Sequence, residues 1–289
     1  MPEQLTLRFS LEEMSYLRRA LELEYLPGLT LRHWQDLDNT QQRLLLAAAD
    51  RSLRARGLVR LMDEDRRAID PVTAGLLRAY AQPQPVLFLD TFRDNWGKGQ
   101  WLYVFNEQVT FEQSEPEPGV LQFAILANRV ELQTRLRQII QITPINGFPS
   151  LERGHITPLL LEQGTKIARS EPEQAQQMFA AELPEATAQV LARAFHSVQA
   201  IYYLARWSAQ TTLVEAALTI LQDAEHLFVL ALKTADAPYL EVIPATSEQV
   251  WSHLARILPR KQEAMQGFTE ASSGFYRTFP EVWGKSGQK

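Results

Sequence analysis

The residue types that most often carry chemistry are few in this chain and poorly spaced for it. Five histidines, His33, His155, His196, His226 and His253, could serve as metal ligands or proton carriers. No two stand three or four positions apart and there is no His-Glu-x-x-His helix face, so none has a neighbour at ligand spacing. The densest group, Asp223-Ala224-Glu225-His226, would need distant ligands to hold a metal, whereas a hairpin turn needs just such polar residues. Gly284-Lys285-Ser286 imitates the end of a phosphate-binding loop, but Phe279 stands where the loop's first glycine belongs and no strand precedes it. Gly97-Lys98-Gly99 likewise lacks the strand-to-helix setting of a dinucleotide site. The serines include no Gly-x-Ser-x-Gly elbow, and without cysteine there is no thiolate nucleophile, zinc thiolate or disulfide. The expectation is a non-enzymatic protein with no catalytic, cofactor-binding or metal-binding residue; an enzyme would need a deep pocket assembled from distant polar groups.

Two segments could recognise a partner instead. Ser10 to Ile69 reads as helix, helix and short hairpin, the layout of a winged helix. Arg51, Arg54 and Arg56 would lie on the recognition helix, with Arg60, Arg66 and Arg67 on the wing, which makes a DNA-binding transcriptional regulator the alternative reading. Phosphate neutralisation needs a net basic face, and residues 1–82 hold twelve arginines against twelve acids. The second segment is the aromatic hairpin through Phe92, Trp96, Trp101, Tyr103 and Phe105. Trp101, Tyr103 and Phe105 alternate toward one sheet face and read as core. Trp96 sits at the tip of the loop Asp94-Asn95-Trp96-Gly97-Lys98-Gly99, a place suited to an interface anchor.

The elements that must position these residues include a repeat. Gly119 to Ile140 and Pro238 to Leu258 each read as a short alternating strand, a capping signature and an amphipathic helix. Asn128 with Glu131 matches Thr246 with Gln249, and Leu132, Leu136, Ile139 and Ile140 fall on Val250, Leu254, Ile257 and Leu258. Upstream of each copy the order is also alike: helices, then a hairpin and a strand. In the first half, helices are expected from Ser10 to Pro27, from Thr40 to Gly57 and after Asp70-Pro71, followed by strands at 86–92, 100–105 and 109–113. In the second, helices are expected at 156–168 and 171–181, with a long one from Pro184 to about Ala209, then strands at 217–221 and 226–232.

This organisation predicts an α+β fold of two quasi-symmetric halves, 1–145 and 146–289, each made of helices plus an antiparallel meander closed by a capped helix and sharing a central sheet. The Pro/Gly-rich stretch from Thr143 to Gly154 is the expected joint. The final segment, Gln266 to Lys289, is polar but carries Phe268, Phe275, Tyr276, Phe279 and Trp283, and is expected to pack back on the body or meet a partner.

The net charge of -5 is spread along the chain and does not invite nucleic acid. The longest apolar runs, Leu44 to Ala49 and Leu227 to Leu232, fall far short of the roughly 20 residues that span a bilayer. The amino-terminal Met-Pro-Glu-Gln-Leu-Thr lacks the basic and apolar regions of a signal peptide. Cytoplasmic residence is the resulting expectation.

The order of motifs resembles the secretion-associated chaperones of the type VII (ESX) system, the EspG family. The resemblance rests on Leu5-Thr-Leu-Arg-Phe-Ser-Leu-Glu-Glu13, on Arg54-Ala-Arg-Gly-Leu-Val59 followed by Ile69-Asp-Pro71, and on Leu76-Leu-Arg-Ala-Tyr-Ala-Gln-Pro83. It continues through the hairpin, the strand and helix after Pro118-Gly119, and Val242-Ile-Pro-Ala-Thr-Ser-Glu-Gln-Val-Trp251, and so spans most of the chain. It implies a cytosolic, non-enzymatic chaperone that keeps secreted PE and PPE partners soluble by binding an apolar helical tip. It also implies that the first-half hairpin loop, Asp94, Asn95, Trp96 and Lys98 with Trp101 beside it, contacts the partner.

Overall fold

The computed structural model describes residues 6–29, 37–63, 67–82, 85–93, 97–105, 109–145, 151–207, 214–233 and 238–259. Among them one large sheet runs through the chain in the order β1 (Thr6–Ser10), β7 (Val120–Leu126), β6 (Thr110–Glu117), β5 (Gly97–Phe105), β4 (Val86–Arg93), β9 (Ala200–Trp207), β10 (Val214–Gln222), β11 (Leu227–Lys233), β12 (Tyr239–Pro244) and β8 (Gly154–Ile156). Pairings of β1 with β7, β7 with β6, β6 with β5, β4 with β9 and β9 through to β8 are antiparallel, and the class is α+β. Two compact units are distinguished by their internal contacts: residues 1–84 with 101–132, and residues 85–100 with 133–289.

In the first unit, Ser10 ends β1 and opens helix α1 (Leu11–Ala20) through a reciprocal cap, its Oγ accepting from Glu13 N at 3.2 Å while Glu13 Oε2 accepts from Ser10 N at 3.0 Å. The helix stops well before Pro27, because the chain turns at Leu21 and Glu22, the latter left-handed at φ +54°. Asp38 and Gln41 cap α2 (Asn39–Ala55) in the same way, and Gly57, at φ +73°, closes it as its residue type suggests. A hairpin of β2 (Val59–Leu61) and β3 (Arg67–Ile69) follows, and Asp70 caps α3 (Pro71–Ala81). Tyr80 of α3 meets Phe111 and Phe123 edge-on at 5.8 and 5.2 Å, and its hydroxyl lies 2.5 Å from Gln113 Oε1 and donates to Pro27 O at 2.9 Å. A buried tyrosine with its one polar atom satisfied is a strong anchor for helix on sheet.

Two carboxylates of this unit set its acid response. Asp70 accepts from the Thr73 amide and hydroxyl, and the amide bond is the main reason its carboxyl sits below the ordinary range. Burial alone would raise the Asp50 carboxyl, but the Tyr16 hydroxyl at 2.8 Å with Arg67 and Arg54 hold it lower than usual. A carboxyl that ionises more readily folded than unfolded adds stability fully above its unfolded value, near pH 4, and loses it as pH falls through the lower folded value. Urea midpoints should therefore drop below about pH 4, and Asp50→Asn should flatten that limb; an unchanged limb would remove Asp50 from the account.

The second unit contains three packed helices, α5 (Pro158–Ala168), α6 (Pro172–Phe179) and α7 (Glu185–His196). They bury Phe179, Leu191 and Phe195 with Ile201, Leu221, Phe228, Leu230 and Val242 of the sheet. The helix read from Pro184 to about Ala209 is in fact two elements: α7 ends at His196 and β9 begins at Ala200. Ala200 to Ala205 is apolar at nearly every position because β9 lies between β4 and β10 with both faces covered there, and such a strand carries no alternation to reveal it. Likewise the segment starting at 156 gives β8 first, with helix only from Pro158.

The two capped helices, α4 (Arg129–Ile139) and α8 (Ser247–Ile257), occur where the repeat places them. Thr246 and Gln249 form a reciprocal box, whereas Glu131 accepts from the amide of Ala127, one residue earlier than the box requires, while Asn128 Oδ1 accepts from Glu131 N. All eight matched apolar positions of the two helices' inner faces are buried. Arg93 donates to Tyr202 Oη at 3.0 Å, to Gln141 Oε1 at 2.8 Å and to the carbonyl of Ile139, a cation on the last turn of α4. Beyond α4, Thr143 is tied to Gln222 and to Ser247, so this part of the expected joint is held by hydrogen bonds.

Candidate partner-binding surface

The hairpin of β4 and β5 brings Lys98 over Asp90, with Nζ 3.5 Å from Oδ2. Asp90 is mostly buried, and burial pushes its carboxyl above the usual range although Lys98 pulls the other way. Its Oδ1 is buried and has no hydrogen-bond partner among the described residues. Tyr203 stands directly across from it on β9, and its phenol is pushed up to about 12 by burial first and by the Asp90 charge second. An acid in these surroundings is costly to keep ionised and is not placed for core stability.

The same register assembles the surroundings. On β4, β9 and β10, Phe88 faces Ala205, Ala205 faces Ala217, Asp90 faces Tyr203 and Tyr203 faces Thr219, while Val86 pairs with Trp207. The Phe88 and Trp207 rings lie 6.5 Å apart. Strand alternation puts Phe88, Asp90 and Phe92 on one face, and Phe92, Ile201 and Leu221 of that face pack into the core made by α5, α6 and α7. Phe88, Tyr203, Trp207, Ala217 and Thr219 remain partly exposed. The result is an aromatic strip with an alanine floor, beside a helical layer and marked by one acid and one lysine.

Of the residues expected to meet a partner, Asp94, Asn95 and Trp96 lie outside the described residues. Trp101 is half-buried and pairs with Ser114 of β6. It stands an odd number of positions from Lys98, so alternation sends the two side chains to opposite faces of β5. Tyr103 is fully buried, in keeping with a core role.

Three arginines of the winged-helix reading are engaged within the protein. Arg54 Nε lies 3.0 Å from Asp50 Oδ2 and Arg67 Nε 3.0 Å from Asp50 Oδ1. Arg56 binds Glu13 Oε2 at 2.8 Å, donates to the carbonyl of Arg8 at 2.6 Å and covers the Phe9 ring. Arg51 is exposed on α2, and Arg66 lies outside the described residues. Three of the six guanidiniums, those of Arg54, Arg56 and Arg67, thus hold α1, α2 and the hairpin together.

The histidines are dispersed. His226 Nδ1 lies 3.0 Å from Asp223 Oδ2, and Asp223 also accepts from the amides of Glu225 and His226, closing the turn between β10 and β11. His155 packs edge-on against Tyr239, and His196 Nδ1 lies 3.0 Å from the carbonyl of Arg169. His33 lies outside the described residues, among which no three His, Asp or Glu side chains gather as a metal site. In the first unit, a cavity of about 20 Å³ between α3 and the sheet is lined by Leu76, Tyr80, Phe111 and Phe123 among others and is wholly apolar. It is of water size and presents no convergent polar groups.

Comparison with solved structures finds a related architecture. The fold is similar to that of a type VII secretion chaperone. A chain in the structure of the Mycobacterium tuberculosis chaperone EspG5 in complex with the PE25-PPE41 dimer superposes with a TM-score of 0.61, covering 88% of this chain and 95% of that one at 11% identity. No family model matches this sequence, and no curated protein matches it. The EspG5 likeness is therefore one of fold, over nearly the whole length of both chains. No helix among the described residues is long and apolar enough to cross a membrane.

Proposed function

We propose that this chain is a non-enzymatic cytoplasmic binding protein, an EspG-like chaperone or adaptor that shields an apolar helical segment of a protein client. The single observation that carries the reading is the partly exposed strip of Phe88, Tyr203, Trp207 and Ala217, with buried Ala205 at its floor, beside the α5 to α7 layer. Small residues at its floor let a helix approach closely, and aromatic walls supply contact area at low entropic cost. The likeness to a chaperone whose solved structure includes a PE-PPE dimer supports the same direction. Lys98 lies beside the strip through Asp90, and Asp94, Asn95, Trp96 and Trp101 are proposed as further residues that meet the client. In this reading the halves 1–145 and 146–289 are related by the repeat, each ending in its capped helix, and the client sits on a strip belonging to the second unit.

The expected result is a stable stoichiometric complex in a pull-down from the native host, with no cofactor and no turnover. Ala217→Arg should weaken that complex about thirtyfold or more, the effect of losing one interface hot spot, while leaving the far-UV spectrum unchanged. Recovery of no protein partner by the wild-type chain, or equal recovery by the folded variant, would argue against the reading.

A further inference from the structure

On the sheet face opposite the strip, β11, β12 and β8 form a charged corner. Leu230, Leu232, Leu240, Val242 and Ile156 turn to the α5 to α7 core, so alternation sends Lys233, Glu241 and His155 the other way. Lys233 Nζ lies 3.2 Å from Glu241 Oε2, and His155 stands directly across from Glu241 in the register. Helix α8 adds His253 and Arg256 to the same place. Burial first and Arg256 second hold the His253 imidazole below its ordinary value; Glu241 opposes them, and Arg153 and Lys233 add to the depression. Arg153, Lys233 and Arg256 are exposed, and among the described residues neither Arg153 nor Arg256 has an ion pair. Three cations from three parts of the chain thus gather around a single carboxylate, although the protein as a whole carries a net charge of -5.

We propose that this corner is a second docking surface, which takes an acidic segment of a protein partner with its carboxylates on Arg153, Arg256 and Lys233. The spacing favours a segment over one compact anion. Strands β11 and β8 flank β12, so Lys233 and Arg153, which immediately precedes β8, leave backbones roughly 10 Å apart. Carboxylates two or three residues apart on an extended peptide cover about 7–10 Å. Three cations are too few for nucleic acid, whose affinity draws on many phosphate contacts at once. Arginine suits the role, because its planar fork grips a carboxylate through two parallel hydrogen bonds. The surface owes nothing to the client reading, since the strip lies on the other face of the sheet. Bound carboxylates favour the charged imidazole, so affinity should rise as pH falls below about 6.5 and His253 gains its proton among Arg256, Arg153, Lys233, Glu241 and His155.

The test uses the whole chain and two fluorescent peptides, one alternating Glu with Ser and its counterpart with Gln for Glu. The Glu peptide should bind at low salt and lose affinity as added salt screens the charges, and the Gln peptide should not bind. Arg153→Ser together with Arg256→Ser should weaken binding about tenfold, the combined effect of two partly exposed ion pairs. Both side chains are exposed, so the fold should survive; Arg153→Glu alone, which repels the peptide, puts the same question through a single change. Ala217→Arg, on the strip, should leave peptide binding intact, so failure here and failure of the client pull-down are read separately. Equal binding of the two peptides, equal binding by the wild-type and double-serine chains, or an affinity that stays flat between pH 8 and about pH 5.5 overturns the inference. So does far tighter binding of a phosphoserine peptide, which would mark a phosphate site. Retention on phosphatidylserine vesicles that is lost with the two arginines would mark a membrane surface and overturn it too.

Discussion

Phe179→Ala should be among the most damaging single substitutions in the second unit, lowering stability by about 3–5 kcal/mol, as expected for a large ring removed from a closed core. Phe179 has no exposed surface and ends α6 within the core shared with Phe195, whose ring lies 6.1 Å away. Gly164 of α5 presses on it so closely that a Cβ there would lie 2.2 Å from Phe179 Cε1, well inside any permitted contact. Gly164→Val should therefore cost about 2–3 kcal/mol by overpacking. The two changes should not add: Gly164→Ala should be tolerated better when Phe179 is leucine, because the shorter side chain leaves room for the new methyl. Urea unfolding of the four chains of that cycle checks the claim, and additive losses would show that the helices separate instead of repacking.

The fate of that helical layer in the sequence shows what can be read and what cannot. Caps are local, so Ser10 with Glu13, Asp70 before Pro71 and Thr246 with Gln249 could be placed from a few residues each, and each forms the expected bond. The repeat was legible for the same reason, since strand, cap and amphipathic helix form a unit of some twenty residues. The end of α7 was not legible. Val198, Ile201, Tyr202 and Ala205 continue a 3.6-residue stripe by coincidence, while the same residues divide between two sheet faces: Ile201 joins the α5 to α7 core, and Tyr202 turns to Arg93 and Gln141. Only the neighbours β4 and β10 decide between the two readings, and they lie far away in sequence.

That one misreading also concealed the strip. A helix through Tyr203, Ala205 and Trp207 hides their alignment with Phe88, Asp90 and Ala217, which only the strand register brings out. Lys98 is visible as a rim residue because hairpin loops announce themselves through glycine and asparagine. Asp90 is not, since an isolated acid in an apolar strand becomes informative only when the hairpin closes and leaves its Oδ1 without a donor among the described residues. Alternation along β5 was sufficient to predict the buried Tyr103, but the meaning of Lys98 and Trp101 as a pair depended on parity, which separates them.

Glu13→Ala should lower the stability of the first unit by about 2–3 kcal/mol, or roughly 5–10 °C in Tm. The Glu13 side chain is nearly buried and serves three donors at once: Ser10 N at 3.0 Å, Ser52 Oγ at 2.7 Å and Arg56 Nη1 at 2.8 Å. Its removal strips α1 of half its cap and leaves the Ser52 hydroxyl of α2 unpaired in a part-buried site. Arg56 is 38% exposed and can return to water, which keeps the loss below that of a fully enclosed ion pair. Glu13→Gln should cost about half as much, because it keeps an acceptor for Ser52 and loses the charge. Arg56→Ala supplies the discriminating comparison. If Arg56 serves the junction of β1, α1 and α2, its loss lowers Tm and leaves salt-dependent DNA affinity unaltered at its negligible level. If it served phosphate, Tm would hold and a measurable low-salt affinity would disappear. The geometry favours the first outcome, since the guanidinium already spends one nitrogen on Glu13 and another on the Arg8 carbonyl of the edge strand, and so faces the protein instead of a ligand.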